Sequence, residues 1–359
     1  MKAIVLVGGE GTRLRPLTLT TPKPLLPIAN VPFLERQLRW LERSGVTDVV
    51  LSLGYLPEAF RAHFPGSKFG EMRLEYAVEE TPLGTAGGIR FAAASVDERV
   101  IVCNGDVLTT LDLPALIAFH ESRHAEATIA LTQVQDPSAF GVVPTDEHGR
   151  VLAFIEKPPV ATAPSNWINA GTYILEPSVL AGIPEGINVS IERETFPRML
   201  EDQRTLCAMQ SDSYWLDIGT PDKYVQAHLD VLHGRLDAAP ADDAYEYAPG
   251  IWVQGDVVIH PGAHVEGPVL LGHGVEIAAG ARVECSVLGA HAAVGPDARV
   301  RRSVLLASAR VGTRAEADDS ICGPESTLGT DVLVADHTVV GPLAEVADGV
   351  QLSGGRVEV

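Results

Sequence analysis

Cysteine is scarce in this sequence. Only four cysteines occur among 359 residues, and no two of them form a CxxC pair; they are Cys103, Cys207, Cys285 and Cys322. This number and spacing exclude a disulfide-rich framework and the usual zinc-site patterns. We therefore expect the protein to work in a reducing compartment, of which the cytoplasm is the simplest.

Long apolar runs are absent as well. A membrane helix needs roughly 18–20 consecutive apolar residues, and no stretch approaches that length. The apolar run at residues 3–7 stops at two glycines, so it is too short for the core of a secretion signal. We expect neither a membrane span nor a signal peptide.

Basic residues are outnumbered. The chain has 27 Lys and Arg against 47 Asp and Glu, which gives a formal net charge of −20. A surface of this sign repels nucleic-acid backbones, so general DNA or RNA binding is excluded. Residues 1–30 are a local exception, because Lys2, Arg13, Arg15 and Lys23 face a single acid, Glu10. Any phosphate site is expected there.

The first part of the chain, to about residue 235, alternates apolar strand patterns with amphipathic helix patterns. Residues 3–7, 48–53 and 99–103 read as buried strands, and residues 32–44 read as a helix with Leu34, Leu38 and Leu41 on one face and Gly45 as its stop. A second helix is expected from an N-cap at Asp112 to about residue 124. This alternation predicts a Rossmann-like α/β domain with a mixed, mostly parallel sheet.

The second part has a different period. A polar connector at 236–250 follows the first domain, and over 251–359 apolar residues recur every six positions with three five-residue steps. The members of this series are Val253, Ile259, Val265, Leu271, Ile277, Val283, Leu288, Val294, Val300, Leu305, Val311, Ala317, Cys322, Leu328, Val334, Val340 and Val346. Such a period predicts a parallel β-helix with these side chains inside, and the alternative is a sandwich of short strands. Resemblance to hexapeptide-repeat proteins implies that the coil is left-handed.

The stretch "LVGGEGTRLRPLT" at 6–18 places glycines and arginines directly after a strand. Glycine lets backbone N–H groups approach a ligand that a side chain would block, and arginine adds fixed positive charge. The stretch is neither a Walker loop nor a GxGxxG fingerprint, because Leu14 stands where the last glycine belongs. We interpret it as a phosphate cradle, the alternative being an ordinary glycine turn with surface arginines.

Further motifs follow in order. They are "PKPLLPI" (22–28), "EETPLGTAGG" (79–88), "NGDVL" (104–108), "AFGVV" (139–143), "FIEKP" (154–158), "NAGTYI" (169–174) and "YWLDIGT" (214–220). Together with the glycine stretch they resemble the sugar-phosphate nucleotidyltransferases, which join a nucleoside triphosphate to a sugar 1-phosphate and release pyrophosphate. The segment "PLGTAGG" and the overall layout are most similar to the members that use GTP and mannose 1-phosphate. The resemblance covers the whole first domain, and the repeats match the longer members.

The resemblance implies roles on the phosphate side. Arg13 would hold the β and γ phosphates, and Lys23 would bridge the reacting groups. Asp106 and Asp217 would bind a Mg²⁺ ion, although Asp106 also fits a turn and Asp217 a helix cap before Thr220. The remaining nucleotide-binding positions implied are Leu6, Gly8, Gly9, Gly11, Thr12, Glu79, Pro82, Gly84, Thr85, Asn104 and Gly105.

It also implies a sugar pocket. Glu156 would accept hydrogen bonds from sugar hydroxyls and Lys157 would pair with the sugar phosphate, while Gly141, Asn169 and Gly171 would line the same pocket. The plain reading of Glu156 and Lys157 is a solvated turn before two prolines.

The identity of the nucleotide base is indicated by a carboxylate. A carboxylate only accepts hydrogen bonds, so it suits the N1–H and N2–H₂ donors of guanine. Glu79 falls where thymidylyl members carry a glutamine, which favours GTP. The alternatives are that Glu80 contacts the base or that neither residue does.

Three other functions stay open at this point. The first is the same reaction with glucose 1-phosphate and UTP, dTTP or ATP. The second is a non-catalytic regulatory homologue, and the third is an acyltransferase that uses a β-helix histidine (His260, His264, His273, His291 or His337). The family also implies a homo-oligomer, a dimer or larger, formed through the β-helix.

Overall fold

The structure is a computed structural model that describes residues 1–236 and 239–359. Residues 237 and 238, which belong to the expected connector, lie outside the described residues. The chain divides into two compact units. The sheet unit comprises Met1–Gly9 and Leu34–Trp215, and the β-helix unit comprises Glu10–Phe33 and Leu216–Val359. Residues 10–33, which we call the signature segment, therefore belong to the same unit as the C-terminal coils.

The strands up to residue 217 are short except at the centre of the sheet. In chain order they are β1 (Lys2–Leu6), β2 (Pro27–Ile28), β3 (Val31–Pro32), β4 (Asp48–Leu53), β5 (Lys68–Phe69), β6 (Met72–Val78), β7 (Val100–Asn104), β8 (Val107–Thr109), β9 (Ala127–Gln133), β10 (Gly141–Val142), β11 (Ile155–Glu156), β12 (Trp167–Leu175), β13 (Leu206–Gln210) and β14 (Trp215–Asp217).

The α-helices lie between these strands. They are α1 (Phe33–Arg43), α2 (Pro57–His63), α3 (Gly84–Ala92), α4 (Leu113–Ser122), α5 (Pro177–Ala181), α6 (Phe196–Glu201) and α7 (Pro221–Leu232). Within the described residues, no helix combines the length and the apolar character needed to cross a bilayer.

The sheet unit is built on a mixed ten-stranded sheet. Its main path runs β11-β10-β12-β7-β1-β4-β6-β5, with β9 beside β12 and β13 beside β9. The central pairs β1–β4, β1–β7 and β4–β6 are parallel, and β12 pairs with β7 in the antiparallel direction. Ala3, Ile4 and Val5 are fully buried, because β1 is covered on both faces. The predicted mixed, mostly parallel sheet is confirmed.

Local signals placed the helices correctly. Leu34, Leu38 and Leu41 of α1 are fully buried, and Gly45 follows with a left-handed φ of 83°. Asp112 is the N-cap of α4, where its side chain accepts a hydrogen bond from Ala115 N. Helix α4 ends at Ser122, two residues before the predicted end.

The coils of the β-helix unit form three sheets, in which the strands are parallel except for β15 at the edge of the first. Face A contains β15 (Ala244–Ala248), β16 (Ile251–Gln254), Val269–Leu271, Val287–Leu288, Val304–Leu305, Ile321–Cys322, Val339–Val340 and Arg356–Val357. Face B contains Val258–Ile259, Glu276–Ile277, Ala293–Val294, Arg310–Val311, Thr327–Leu328 and Glu345–Val346. Face C contains His264–Glu266, Arg282–Glu284, Arg299–Arg301, Glu316–Asp318, Leu333–Ala335 and Gln351–Ser353. This arrangement confirms the predicted parallel β-helix and is consistent with a left-handed coil.

The predicted six-residue series forms the core of the coils. Its members are buried in one hydrophobic cluster, except Ile259 and Val265, which are partly buried and pack against that cluster. The predicted connector differs from the structure in one respect, because Ala244–Ala248 is a strand that pairs antiparallel with β16.

Outward side chains differ between the faces. On face A the outward row is apolar and at most 1% exposed; its members are Leu270, Val287, Val304, Ile321 and Val339. On faces B and C the outward rows carry charged residues such as Glu276, Arg310 and Arg299. Two faces of the coil are therefore built for water and one is built to be covered.

Candidate active site

The carboxyl ends of β1, β4, β6 and β7 lie along one edge of the sheet, since these strands are parallel. Chain order switches at β1, which has β4 on one side and β7 on the other. Ligands of open α/β sheets bind at such a switch point. Leu6 pairs with Asn104 there, and Gly8 follows β1 beside Gly54.

The Asn104–Asp106 turn is fixed at this edge. Gly105 N donates to Leu6 O at 2.9 Å, and Gln37 Nε2 of α1 donates to Asn104 O at 2.8 Å. Asp106 follows, half-buried, between β7 and β8. Asp106 therefore lies in a turn at this edge of the sheet, as the turn interpretation predicts.

Glu79 leaves the end of β6 with its carboxylate held by the protein. One oxygen accepts from Ser52 Oγ at 3.0 Å and the other from Leu83 N at 2.9 Å. Each carboxylate oxygen has a second lone pair, so both remain able to accept from a base. Glu80 is exposed.

The PLGTA turn packs against the segment before α6. Asn188 Nδ2 donates to Pro82 O at 3.0 Å, and Ile191 N donates to Thr85 Oγ1 at 2.8 Å. Gly84 has φ +71°, and a β-carbon there would lie 2.6 Å from Val189 O. Glycine is therefore required at this position by the fold, whatever it contributes to binding.

The implied sugar-pocket residues cluster on β10, β11 and β12. Gly141 pairs with Glu156 across β10 and β11. Lys157 follows in a left-handed conformation with φ 49°, and its Nζ lies 3.5 Å from Glu156 Oε1. The Lys157 side chain is 63% exposed, so the ammonium group is accessible to an anion.

An irregularity lies in the middle of β12. The register of β12 against β9 shifts between Asn169 and Tyr173. Gly171 N donates to Asn169 Oδ1 at 2.9 Å, and Gly171 lies against the Asn104 side chain. The bulge thus places Gly171 against Asn104, the last residue of β7 and two positions before Asp106.

Sequence reasoning missed Glu192 and Tyr173, which connect Thr85 to Asn169 through hydrogen bonds. Glu192 Oε2 accepts from Thr85 Oγ1 at 3.0 Å, and Tyr173 OH donates to Glu192 Oε1 at 3.4 Å. Tyr173 OH also accepts from Asn169 Nδ2 at 2.7 Å. Burial raises the pKa of Tyr173 well above its usual value, and the charges of Glu192 and Asp106 raise that pKa further.

Glu192 lies in a π-helical turn, Ile191–Thr195, a conformation that is frequent at functional sites. Ser190 caps this turn by accepting from Arg193 N, and Glu194 returns to accept from Ser190 N. The capping box has its acid three positions after the serine, whereas here Glu194 is four positions after Ser190. Nothing local could have indicated the partner Thr85, which is 107 positions away.

In the β-helix unit, Arg13 lies in a short turn at the start of the signature segment. Gly11 takes a left-handed φ of 62°, and Thr18 Oγ1 donates to Gly11 O at 2.9 Å. The turn Thr12–Leu14 then leaves Arg13 exposed. Gly9 and Thr12, which flank this start, are exposed as well.

The Arg13 guanidinium lies against Gly219. A β-carbon on Gly219 would be 2.7 Å from Arg13 Nη2 and 2.8 Å from Nη1. The motif "GTR" near the start of the chain therefore contacts the motif "WLDIGT" at Gly219, which is two residues after Asp217. Thr220, not Asp217, holds the N-cap position of α7, so the cap interpretation of Asp217 is wrong.

Lys23 begins the turn Lys23–Leu25 between two buried prolines, Pro22 and Pro24. Its Cβ lies 3.0 Å from the β-carbon position of Gly11. Arg13 and Lys23 therefore come from turns that meet at Gly11. Gly11, Thr12, Arg13 and Lys23 therefore lie close together within the β-helix unit, and Gly219 contacts Arg13.

The five β-helix histidines lie in strands or turns on the outside of the coils. His260 Nε2 contacts Glu276 at 3.0 Å, His273 Nε2 contacts Asp243 at 2.7 Å, and His337 Nδ1 lies 3.4 Å from Asp319. His264 and His291 are exposed.

Comparison with known families places both parts of the chain. The family model described as "Nucleotidyl transferase" matches residues 2–234, and the one described as "GMPPB C-terminal domain" matches residues 248–358.

Two similar proteins are both mannose-1-phosphate guanylyltransferases. The chain is 43% identical to mannose-1-phosphate guanylyltransferase of Mycobacterium tuberculosis over 289 residues, which cover 80% of this chain and 79% of that protein. It is 39% identical to mannose-1-phosphate guanylyltransferase 1 of Arabidopsis thaliana over 322 residues, 82% of this chain and 88% of that protein.

A solved structure supports the fold of the first part. The crystal structure of HddC from Yersinia pseudotuberculosis complexed with GMP-PN matches with a TM-score of 0.56 at 29% identity, covering 64% of this chain and 99% of that one. Because the family model spans more than half of the chain and the relatives cover most of it, this chain belongs to the nucleotidyl transferase family, with mannose-1-phosphate guanylyltransferases among its similar members.

Proposed function

We propose that this protein transfers the guanylyl group of GTP to mannose 1-phosphate and releases GDP-mannose and pyrophosphate. The observation that carries the proposal is the identity of 43% and 39% to proteins with the name mannose-1-phosphate guanylyltransferase over about four fifths of the chain. A phosphate oxygen of the sugar phosphate attacks the α-phosphorus of GTP. The bond from that phosphorus to the bridging oxygen breaks, and the electron pair leaves with pyrophosphate.

Both reactants are anions, so the protein must neutralise charge and align the groups. Under this proposal Arg13 binds the β and γ phosphates, and Lys23 contacts the phosphates that react. The backbone of Gly8, Gly9, Gly11 and Thr12 wraps the triphosphate. The exposed Arg13 side chain and the half-buried, proline-flanked Lys23 support these roles.

Asp106 and Asp217 would hold a Mg²⁺ ion. Their carboxylates are the hard oxygen donors that Mg²⁺ prefers, and one or two protein carboxylates are its usual number in nucleotide sites. The bound ion would neutralise phosphate charge as pyrophosphate departs. In the described residues no group of three or more His, Cys, Asp and Glu side chains is arranged for a metal, so the phosphates and water would complete the shell.

Base and sugar recognition fall to the sheet unit. Glu79 would accept from N1–H and N2–H₂ of guanine, with Pro82, Gly84 and Thr85 beside the ring. The relative HddC, whose complex contains GMP-PN, supports a guanine nucleotide. Glu156 would accept from sugar hydroxyls and Lys157 would pair with the sugar phosphate.

A matrix of pyrophosphate-release assays tests the proposal. GTP, ATP, UTP and dTTP are each combined with mannose 1-phosphate and with glucose 1-phosphate. We expect GTP with mannose 1-phosphate to give the highest kcat/KM. If GTP is the slowest nucleotide, the guanylyl assignment is wrong, and binding of GDP-mannose without turnover of any pair identifies a non-catalytic homologue.

We also propose that the chain works in the cytoplasm and associates through its β-helix into a dimer or a larger closed assembly. The four thiols are free, and Cys103, Cys207 and Cys322 are buried, as suits a reducing compartment. Light scattering after size exclusion at micromolar concentration measures the assembly, and a monomer mass there contradicts that part of the proposal.

A further inference from the structure

The β-helix is in contact with the segment that carries Arg13 and Lys23. Within the β-helix unit, Asn30 Nδ2 donates to Gln254 Oε1 at 2.8 Å and to Leu288 O at 3.1 Å. At the other end of the segment, Pro16 Cγ lies 2.7 Å from the β-carbon position of Gly341. The signature segment is thus attached to the coils at two points, one after Lys23 and one just after Arg13.

The two attachment points span a long stretch of face A. Leu288 and Gly341 belong to coils that are three steps apart, since Leu288 pairs with Leu305, Leu305 with Cys322 and Cys322 with Val340. At about 4.8 Å between strands, the distance along the coil axis is about 14 Å. The segment therefore runs along the coil axis and contacts the coils at two separate points.

Face A is built to receive such a segment. Its outward row, Leu270 to Val339, is apolar and fully buried, whereas the outward rows of the other two faces carry charges. The signature segment offers matching apolar side chains, since Leu14, Leu17, Leu26 and Ile28 are at most 3% exposed.

The hairpin that carries Asn30 is fixed from two sides. Ala29 and Asn30 have φ of 45° and 60° and form the two-residue loop between β2 and β3, as in a type I′ turn. From α7, Tyr224 OH donates to Pro27 O at 2.6 Å, and His228 Nδ1 accepts from Ala29 N at 3.1 Å. From the coils, Gln254 and Leu288 hold Asn30. Helix and coils therefore fix the exit of the segment together.

We propose that the β-helix is the platform that positions the phosphate-binding residues, with Asn30 and Gly341 as positioning residues for Lys23 and Arg13. This inference rests on the proposed roles of Arg13 and Lys23. Asn30 holds the hairpin that follows Lys23. Gly341 leaves room for Pro16, which lies two residues beyond the turn that carries Arg13. Neither residue needs to touch a substrate.

Asn30→Gly is the cleanest test. Glycine accepts a φ of 60° without cost, so the turn is kept while both side-chain hydrogen bonds are lost. We expect kcat to fall about tenfold while the KM for the sugar phosphate stays within twofold, because the implied sugar residues are in the sheet unit. Hydrogen exchange at the amides of Leu14 and Leu26, which close the Arg13 and Lys23 turns, should accelerate about tenfold.

Gly341→Ala tests the second attachment point, and Gly355→Ala is its matched control. A β-carbon at Gly341 meets Pro16, whereas one at Gly355 meets no atom within 4 Å. Gly341→Ala should reproduce the loss of kcat and Gly355→Ala should not. The methyl group of Gly341→Ala would also lie 2.9 Å from Val357 O and can disturb the coil itself. If the coil is disturbed, the result for Asn30→Gly decides whether the proposal holds.

The outcomes separate the two levels of the proposal. Wild-type kcat in Asn30→Gly, with or without faster exchange, overturns the platform. If Lys23→Ala instead has wild-type turnover, the proposed role of Lys23 is wrong. The hydrogen-exchange data then still show whether the segment is held by the coils.

Discussion

The guanidinium of Arg13 rests on the backbone of Gly219, so a glycine in the "WLDIGT" motif defines the position of an arginine more than 200 residues before it. Gly219 is buried, and the arginine is at the surface. The space next to the Gly219 α-carbon is filled by the mobile end of a side chain and not by backbone. A methyl group can therefore displace Arg13 without breaking the fold.

Gly219→Ala should lower kcat about tenfold, because Arg13 would bind the departing pyrophosphate from the wrong place. The Tm should change by less than about 2 °C, as is usual when only a surface side chain has to move. Steady-state kinetics and a thermal melt measure both quantities. A fall in Tm that matches the loss of activity would assign Gly219 to folding alone.

Asp106→Asn and Asp217→Asn each keep the shape of the side chain and remove its charge. We expect turnover to fall at least 100-fold in either variant and the Mg²⁺ dependence to shift to higher concentration, because one of the two proposed metal ligands is weakened. Circular dichroism should show an unchanged fold. An unaltered rate in either variant removes that residue from the metal site.

Glu79→Gln and Glu80→Gln separate the two candidate base readers. Replacing one carboxylate oxygen of Glu79 with an amide places a donor opposite the donors of guanine, and kcat/KM for GTP should fall about tenfold. Glu80 is exposed, and its variant should behave as the wild type. The reverse pattern would assign the base to Glu80.

Tyr173→Phe tests the hydrogen bonds that connect Asn169 to Glu192. The change leaves Asn169 Nδ2 without its acceptor and Glu192 Oε1 without a donor, in a fully buried position. We expect the free energy of unfolding to fall by about 1–3 kcal/mol and the KM for the sugar phosphate to rise, since Asn169 loses its anchor. Urea titration and kinetics check the two effects, and Tyr245→Phe, at an exposed tyrosine, is the control.

His120 should make the sheet unit less stable in mild acid. Burial lowers its pKa below the usual value, although a hydrogen bond with Glu176 opposes the shift. Below about pH 6.5 the unfolded chain takes up a proton more readily than the native histidine does, so the free energy of unfolding decreases as the pH is lowered. Above pH 7 this contribution is constant.

His120→Gln should remove that dependence. Urea midpoints at pH 5.5 and 7.5 are compared between the wild type and the variant. Glu126, whose pKa is lowered chiefly by its hydrogen bond with Arg204, loses its stabilising effect only in stronger acid, below its usual pKa. Equal slopes for both proteins would exclude His120 as the cause.

Local periodicity was sufficient to predict the buried strand at residues 3–7, the α1 face and the interior of the β-helix. The same kind of signal was available for β15, since residues 244–248 alternate Ala, Tyr, Glu, Tyr and Ala, but the polar composition around them favoured a connector. Helix α4 began at its predicted N-cap because the capping hydrogen bond is made within three residues.

Contacts between distant residues were beyond the sequence alone. No periodicity relates Thr85 to Glu192, or Arg13 to Gly219, because each pair meets only after the sheet or the coil has formed. The roles of Arg13, Lys23, Asp106 and Asp217 came from family resemblance, and spacing by itself could not have brought any two of them together.

The hydrogen bond between Asn30 and Leu288 has a consequence for folding during translation. Asn30 and Leu288 are 258 positions apart, so at about 5–20 residues per second the ribosome needs about 10–50 s to make the second after the first. During that interval the apolar side chains of the signature segment have been translated and their platform has not. The signature segment therefore reaches its contacts with the coils only after the C-terminal part of the chain has been synthesised.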